Sequence, residues 1–281
     1  MRSLSLVEVT SFTDPVCPWS WGLEPAMRKL AEEFAGEVRF TYVMCGMVRE
    51  LEGGITEDGT ALKLLSSTLE AAWESGMPAD PRLWLDDPPR SSHPACIAVK
   101  AAQQQGDPAP LLRRLREGFL CRRRRLDKAP ALLEESRQLT GLDPERFRID
   151  FHSHATLEAF GADLELAKSA AERAGDKAAD GRPELPSLEF KGVDGTLHGV
   201  YGFAAYEELR HAALAAGAQP VPREPPTIEQ ALRRYGTMTS VEVASVCDLP
   251  GPRAPAELWR LALEWRVNAE RVHGGELWTL P

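Results

Sequence analysis

The stretch Asp14-Pro15-Val16-Cys17-Pro18-Trp19-Ser20-Trp21 places a cysteine between a predicted strand and a predicted helix. Residues 4–12 are rich in apolar and β-branched types, which favours a strand. Apolar residues recur at helical spacing over residues 19–33, and Pro18 suits the first position of a helix. A thiol at a helix N-terminus faces free N–H groups that stabilise its thiolate and lower its pKa. Cys17 is therefore the candidate nucleophile; the alternative is a small apolar residue buried at a turn.

The sequence that follows predicts a strand–helix–strand unit. Pro25 lies inside the helix and should kink it, and residues 38–44 read as a second strand. The strands of such a unit are parallel, so both end at the same edge of the sheet. Cys45 should then lie on the same side as Cys17. A disulfide between Cys17 and Cys45 would restore two-thiol chemistry. The simpler interpretation is that Cys45 is a small buried residue with a free thiol.

The middle of the chain, residues 46–174, is predicted to be mostly helical. The helical spans are 58–75, 93–105, 108–120, 128–139 and 155–174. Breakers separate them: the proline-rich segment 78–89, Gly106-Asp107-Pro108 and Gly141-Leu142-Asp143-Pro144. Leu185 to Phe190 then leads into a strand, Asp194-Gly195 signals a hairpin turn, and residues 196–201 form the return strand. A helix is expected at 203–216. This order predicts an α/β domain with a large helical insertion.

A proline-rich segment that begins at residue 220 predicts a linker, which divides the chain into 1–219 and 220–281. The second part reads as three helices and a hairpin, the outline of a winged helix. Its predicted elements are helices at 227–235, 239–247 and 254–266 and strands at 267–272 and 276–280. Seven arginines against eight acidic residues make it a poor binder of nucleic acid. We expect a structural or protein-docking role for it.

Composition narrows the class of protein further. The 281 residues include 42 acidic and 33 basic side chains, a net charge of −9, which argues against nucleic-acid binding in general. No run approaches the ~20 apolar residues of a membrane span, and the N-terminus lacks the features of a secretory signal. The five cysteines are widely spaced and include no Cys-x-x-Cys pair, so we expect free thiols, no metal and a cytoplasmic location. The oligomeric state stays open.

The motif Cys17-Pro18-Trp19-Ser20 resembles the Cys-x-x-Cys site of the thioredoxin superfamily with serine in place of the second cysteine. The surrounding stretch is most similar to the DsbA family of oxidoreductases, including its FrnE-like cytosolic branch. Pro25 matches the kink proline of the active-site helix, and Leu185-Pro186-Ser187 matches the segment whose proline is cis and faces the cysteine. The resemblance covers residues 1–217 in layout. It implies an α/β thioredoxin-like fold with a large helical insertion, to which the winged-helix-like module is added.

The resemblance implies a cytosolic thiol–disulfide oxidoreductase or isomerase that uses a single cysteine. Cys17 would be the nucleophile, Ser20 would donate a hydrogen bond to its thiolate, and Pro186 would hold the substrate backbone. Ser20 cannot resolve a mixed disulfide, so glutathione or another low-molecular-weight thiol would have to do so. The partners would be protein thiols or disulfides, or a thiol cosubstrate, with no tightly bound cofactor. Further substrate contacts would come from Pro18, Trp19 and Leu185.

Two other functions stay open on the same resemblance. Kappa-class glutathione transferases and 2-hydroxychromene-2-carboxylate isomerases share the DsbA-like layout and carry Ser-Pro-x-Ser at this position, which would make the protein a glutathione-dependent transferase or isomerase. Some DsbA-like proteins assist ATP-dependent proteolysis, which would make it a non-catalytic adaptor or binding protein. The reactivity of Cys17 separates an enzyme from an adaptor.

Two further segments are candidates for contact with a ligand. Ser91 and Ser92 precede a predicted insertion helix as capping residues, and DsbA-like relatives place the start of that helix over the active site. We expect both serines, and less strongly His93, to line the site; the alternative is a cap beside a surface histidine. The basic run at 122–125 reads as a solvated helix face, with a contact to glutathione or an acidic protein as the alternative.

Overall fold

The computed structural model describes residues 6–51 and 59–281, so residues 4, 5 and 58 of the predicted elements lie outside it. The strands of the first part of the chain are β1 Val7–Thr13, β2 Val38–Met44, β3 Ala178–Ala179, β4 Arg182–Pro183, β5 Ser187–Lys191 and β6 Leu197–Tyr201. Four of them form a mixed sheet in the order β2-β1-β5-β6. The short strands β3 and β4 pair with each other outside the main sheet.

Parallel pairing of β1 with β2 confirms the predicted strand–helix–strand unit. Thr13 lies opposite Met44 at the carboxyl end of this pair, so the segments that follow leave from one edge of the sheet. Strand β5 runs antiparallel between β1 and β6, which confirms the predicted hairpin. Val9 and Phe190 are partners across β1 and β5, and both are fully buried. This pair forms part of the core between the sheet and the helices on one face.

Helices lie between the strands of this part and after the last of them. They are α1 Pro18–Gly22, α2 Glu24–Glu33, α3 Thr60–Ser75, α4 Leu83–Asp86, α5 His93–Gln103, α6 Ala109–Arg116, α7 Ala129–Arg137, α8 Pro144–Phe151, α9 His154–Ala174 and α10 Tyr206–Ala215. Pro25 does more than kink a single helix: α1 and α2 are separate, with Leu23 between them. A π-helical turn at Glu117–Cys121 continues α6. The large helical insertion is therefore confirmed.

Two helices of the insertion were not predicted. The four-residue α4 lies in the proline-rich segment, which the sequence marks only as a breaker. Helix α8 begins at Pro144, the last residue of the stretch Gly141-Leu142-Asp143-Pro144, which the sequence also marks as a breaker. Asp143 instead caps α8: its carboxylate accepts the backbone N–H groups of Glu145 and Arg146, and Pro144 takes the first helical position.

The C-terminal part contains the three predicted helices and the hairpin. Its elements are α11 Ile228–Tyr235, β7 Met238–Thr239, α12 Ser240–Val246, α13 Arg253–Leu263, β8 Asn268–Val272 and β9 Gly275–Thr279. Strand β7 joins the hairpin in a three-stranded sheet of order β7-β9-β8. Trp278 is fully buried in a core formed by these elements. The winged-helix interpretation of this part and the division at residue 219 stay predictions.

A buried ion network joins the C-terminal part to the rest of the chain. Glu242, at the start of α12, has no exposed side-chain surface and accepts two hydrogen bonds from Arg113 of α6, at 2.6 and 2.9 Å. Arg28 of α2 lies 3.2 Å from the same carboxylate, and the Thr239 backbone N–H donates to it at 2.7 Å. The Arg113 guanidinium also lies over the Trp21 ring, 4.2 Å from its centre. Helix α2, the insertion and the C-terminal part thus meet at one carboxylate.

None of the helices in the described ranges, 6–51 and 59–281, is both long and apolar enough to cross a membrane.

Candidate functional site

Cys17 occupies the N-cap position of α1, as the sequence predicts. Strand β1 ends at Thr13, a short turn follows, and Pro18 begins the helix. The thiol is 1% exposed, and its sulfur accepts the backbone N–H of Ser20 at 3.4 Å. The sulfur thereby satisfies one of the free N–H groups of the first helical turn.

The predicted lowering of the Cys17 pKa is wrong in this structure. Burial disfavours the charged thiolate and raises the pKa of Cys17 above its ordinary value. Hydrogen bonding by Ser20 offsets part of that rise, while the negative charge of Asp14 adds to it. The helix N-terminus does favour a thiolate, but its effect is smaller than the loss of hydration. Cys17 is therefore a protonated, enclosed thiol at neutral pH.

Native Cys17 is expected to react slowly with iodoacetamide. Because the thiolate is the reacting species and the sulfur is enclosed, its rate at pH 7 should be at least about tenfold below that of the unfolded chain. The rate should keep rising with pH beyond ~8.5, the midpoint of a free thiol. Peptide mapping by mass spectrometry after timed alkylation measures this at Cys17 alone. A midpoint below neutrality would restore the reactive-thiol interpretation.

Ser20 lies beside Cys17, and its backbone N–H donates to the sulfur. Its buried hydroxyl also lowers the pKa of Cys17, although it forms no hydrogen bond of ordinary geometry within the described part of the chain. The hydrogen bond predicted from this hydroxyl to the thiolate stays a prediction. Position 20 therefore holds a hydroxyl group where a dithiol enzyme has its second sulfur.

The peptide bond between Leu185 and Pro186 is cis, as predicted. Leu185 belongs to the same small apolar cluster as Cys17 and Cys45, together with Phe12 at the end of β1. The fold therefore brings the two motifs, which are almost 170 residues apart in the sequence, to one end of the sheet.

Trp19 and Pro18 flank the thiol on its helix. Pro18 is buried, and Trp19 is half-buried. The Trp19 indole donates to the Ser67 hydroxyl of α3 at 2.9 Å, and its ring lies 5.2 Å from that of Phe203. These contacts fix the indole between α3 and the segment after β6. Its predicted contact with a substrate stays a prediction.

Cys45 follows β2 and lies in the apolar cluster of Cys17, at the sheet edge where the parallel strands place it. All five cysteines are buried free thiols, so no Cys17–Cys45 disulfide is formed in this structure. Burial also raises the pKa of Cys45, and the Asp14 carboxylate adds to this effect. A resolving role for Cys45 stays a prediction.

Asp14 organises the loops around the thiol, a role that the sequence analysis missed. The carboxylate is fully buried and accepts the backbone N–H groups of Val16 at 3.0 Å and Met47 at 2.6 Å. It also accepts the Ser92 hydroxyl at 2.8 Å and the Cys96 thiol at 3.4 Å. One carboxylate thus fixes the turn before Cys17, the exit of β2 and the start of α5. The only sequence signal was an Asp-Pro turn directly after a strand.

Ser91 and Ser92 act in the same loop structure. The Ser92 hydroxyl is fully buried between Asp14 and the Val48 N–H, so it does not cap α5 as predicted. The Ser91 hydroxyl donates to the Val48 carbonyl and accepts the His93 N–H, both at 3.1 Å. The His93 ring packs edge-on against another aromatic ring. A role of these residues in lining a binding site stays a prediction.

The basic run at 122–125 does not lie on a helix face, because the helix has ended in the π-helical turn. Each of its arginines pairs with at least one carboxylate. The pairs are Arg122 with Glu117 and Glu270, Arg123 with Asp80 and Asp86, Arg124 with Glu135, and Arg125 with Asp87 and Asp127. In the residues that the structure describes, no group of three or more histidine, cysteine or acidic side chains is arranged to hold a metal ion.

The mixed sheet, the helical insertion and the cysteine at a helix N-terminus near a cis-proline define a thioredoxin-fold protein of the DsbA type. A sequence model described as thioredoxin matches residues 11–171, more than half of the chain. The chain belongs to this thioredoxin family.

Solved structures agree with this fold assignment. A putative protein disulfide isomerase from Nitrosomonas europaea superposes with a TM-score of 0.63 at 15% identity, over 75% of this chain and 96% of that one. The cytosolic disulfide reductase DsbM from Pseudomonas aeruginosa gives a TM-score of 0.57 at 23% identity, over 69% of this chain and 88% of that one. At these identities the likeness shows the fold.

The relatives found by sequence similarity are named as adapter proteins and not as disulfide enzymes. ClpXP adapter protein SpxH from Halalkalibacterium halodurans is 28% identical over 281 residues, which cover 97% of this chain and 88% of that protein. ClpXP adapter protein SpxH from Bacillus subtilis is 28% identical with the same two coverages. The similarity extends through the C-terminal part, beyond the region that the thioredoxin model matches.

Proposed function

We propose that this protein is a non-catalytic thioredoxin-fold adaptor, which binds a protein partner and presents it to a ClpXP protease in the cytoplasm. The observation that carries the proposal is the state of the site: Cys17 is enclosed, its pKa is raised, and Ser20 replaces the second thiol. Similarity to proteins named ClpXP adapter over 97% of the chain supports it. The adaptor alternative is therefore favoured over thiol–disulfide chemistry.

Dithiol chemistry makes demands that this site does not meet. An attacking cysteine must be a thiolate, and a second thiol must release the substrate from the mixed disulfide. Here desolvation favours the protonated form of Cys17, and Ser20 has no sulfur. Without a reactive thiolate and a second thiol, the DsbA-type fold would serve this protein by binding a polypeptide and not by exchanging disulfides.

Capture of proteins in an inactive ClpP chamber tests the adaptor function. Cells of the source organism that express a catalytically inactive ClpP would be compared with and without this gene. We expect one or more proteins to enter the chamber at least about fivefold more when the chain is present. A Cys17→Ala variant should support the same capture, because the thiol takes no chemical part. Quantitative mass spectrometry of the purified chamber provides the measurement.

Two outcomes of this comparison carry weight against the proposal. Identical chamber contents with and without the gene would reject the adaptor function. Loss of capture with Cys17→Ala, in a variant whose circular dichroism and thermal melting match the wild type, would mean that the thiol itself is used. A Cys247→Ala variant, which removes a buried thiol of the C-terminal part, is the matched control.

Single-thiol chemistry is the second candidate, favoured by the placement of Cys17 on a helix N-terminus near Pro186. The Cys17 thiolate would attack a mixed disulfide of glutathione, take up the glutathionyl group and release the substrate thiol. A second glutathione thiolate would then restore Cys17 and leave glutathione disulfide. A solved structure of DsbM contains glutathione, which makes this thiol the cosubstrate to test. Turnover of a glutathionylated peptide that disappears in Cys17→Ala would favour this function.

A further inference from the structure

Large apolar side chains of the C-terminal part are exposed at its surface. Helix α13 and the turn after it expose Leu263 to 81% and Trp265 to 86%, and Trp259 is 38% exposed. Residues 259 and 263 are four apart, so they share one face of the helix. Trp259 packs edge-on against the buried Trp278, with ring centres 5.0 Å apart, and is thereby held in place. We call these three residues the α13 surface.

A basic groove adjoins the α13 surface. It has a volume of about 400 Å³ and lies between the segment after α6 and strand β8. Four arginines and two carboxylates line it, in a chain whose net charge is −9. These charged residues are Arg82, Arg122, Arg123, Arg271, Asp80 and Glu270.

Three of these arginines are already neutralised. Arg82 and Arg123 share the buried Asp80 carboxylate, at 2.6 and 3.4 Å, and Arg123 also pairs with Asp86 outside the groove. Arg122 pairs with Glu270 at 2.7 Å and with a second carboxylate behind it. These pairs build the walls of the groove and leave little charge for a ligand.

Arg271 is different from the other three. It is exposed and forms no ion pair with any described residue, although Glu276 lies directly opposite it in the strand pair. Its guanidinium lies over the Trp259 ring, 5.8 Å from the centre. One side chain thus touches both surfaces, so a ligand could reach the cation and the apolar residues together.

We propose that the α13 surface and the basic groove form one docking site for an acidic segment of a partner protein that also carries an apolar side chain. A carboxylate of the segment would pair with Arg271, and the apolar side chain would cover Leu263 and Trp265. Arginine and tryptophan are the residues that most often dominate binding at protein interfaces. The proposal deepens the adaptor function and rests on it for the existence of a protein partner.

Charge complementarity selects this occupant. A basic segment would meet Arg271 as a like charge, and a purely apolar one would leave the cation buried without a partner. A nucleic acid would supply anionic phosphates, but its binding draws on several cations, and three of the four arginines of the groove are already paired with carboxylates.

Photo-crosslinking in the full-length chain tests the docking site. Benzoylphenylalanine replaces Trp265, and a matched control replaces Val193, which is 63% exposed in the turn between β5 and β6. In cells of the source organism, position 265 should form an adduct with a protein segment that carries an excess of acidic residues. Arg271→Glu should reduce that adduct at least about fivefold, and Arg271→Lys should restore most of it. Circular dichroism and thermal melting establish that each variant is folded.

The outcomes separate this inference from the adaptor function. No adduct at position 265, an adduct with a basic segment or a nucleic acid, or an adduct that Arg271→Glu leaves unchanged would overturn the docking site. If the ClpP chamber still captures proteins in the Arg271→Glu strain, the adaptor function stands without it. If adducts with acidic segments form but capture does not depend on the gene, the docking site stands and the adaptor function fails.

Discussion

A Glu242→Gln variant is expected to lose about 3–5 kcal/mol of its free energy of unfolding. The substitution keeps the shape of the side chain and an oxygen for the Thr239 N–H. It removes one of the carboxylates that compensate Arg113 and Arg28, both of which are almost fully buried beside it. Glu117 still pairs with Arg113 at 2.7 Å, and Glu24 lies 3.8 Å from both guanidinium groups. A buried network left one negative charge short is nevertheless far costlier than the loss of one hydrogen bond. Urea unfolding at pH 7, followed by circular dichroism, measures the change.

The pH dependence of the same variant gives a second test. Burial opposes ionisation of Glu242, but Arg113 and Arg28 outweigh it, so the pKa of Glu242 lies below its ordinary value. Its contribution is therefore complete above the ordinary pKa of about 4.3 and is lost as the pH falls through the lower folded value. The stability difference between wild type and Glu242→Gln should shrink in that acidic range. Glu257→Gln, which breaks an exposed pair with Arg260, is the control and should change little. A Glu242→Gln loss no larger than that of the control would contradict the role of the network.

An Asp14→Ala variant is also expected to lose about 3–5 kcal/mol of its free energy of unfolding. The carboxylate accepts four donors, and two of them are backbone N–H groups that have no replacement partner once it is gone. Each buried donor left unsatisfied costs about 1–3 kcal/mol, and effects within one network are not additive. Denaturant unfolding followed by tryptophan fluorescence measures the loss.

A Ser92→Ala variant provides the matched comparison for Asp14. It removes one of the four donors and should lose about 1–2 kcal/mol, so it remains folded even if Asp14→Ala does not. The double variant should lose less than the sum of the two single losses, because both changes disrupt the same hydrogen bond. Additive losses would mean that Asp14 and Ser92 stabilise the chain independently.

Local signals predicted the elements of the fold well. The alternation of residues 38–44, the turn at Asp194-Gly195 and the helix-starting Pro18 are short-range features, and the structure contains the elements they predict. Helix α8 was missed because Asp143-Pro144 was interpreted as a breaker, although the same pair is also a helix start. The cis bond at Pro186 could be expected from the resemblance alone, because most bonds before proline are trans.

The state of the site could not be predicted in the same way. The pKa of Cys17 depends on how completely its apolar cluster, which includes Ala167 and Ala170 of α9, excludes water from the thiol. No local sequence pattern reports that burial. Asp14 and Glu242 were likewise overlooked, because their importance comes from partners far along the chain. The motif correctly located the thiol, but its chemistry is set by residues that only the tertiary structure assembles.

The ion pair between Arg113 and Glu242 can form only late in the synthesis of the chain, because the two residues lie far apart in the sequence. Ribosomes add about 5–20 residues per second, so the 129 residues that separate the two side chains take roughly 6–26 s to synthesise. Helices form within about a microsecond, so α2 and α6 can fold long before α12 exists. During that interval Arg28 and Arg113 have Glu24 and Glu117 nearby but lack the Glu242 carboxylate, and the surface that later receives α12 is open to chaperones. The carboxylate of Glu242 therefore acts late in biogenesis, as the contact that closes a nascent chain already folded elsewhere.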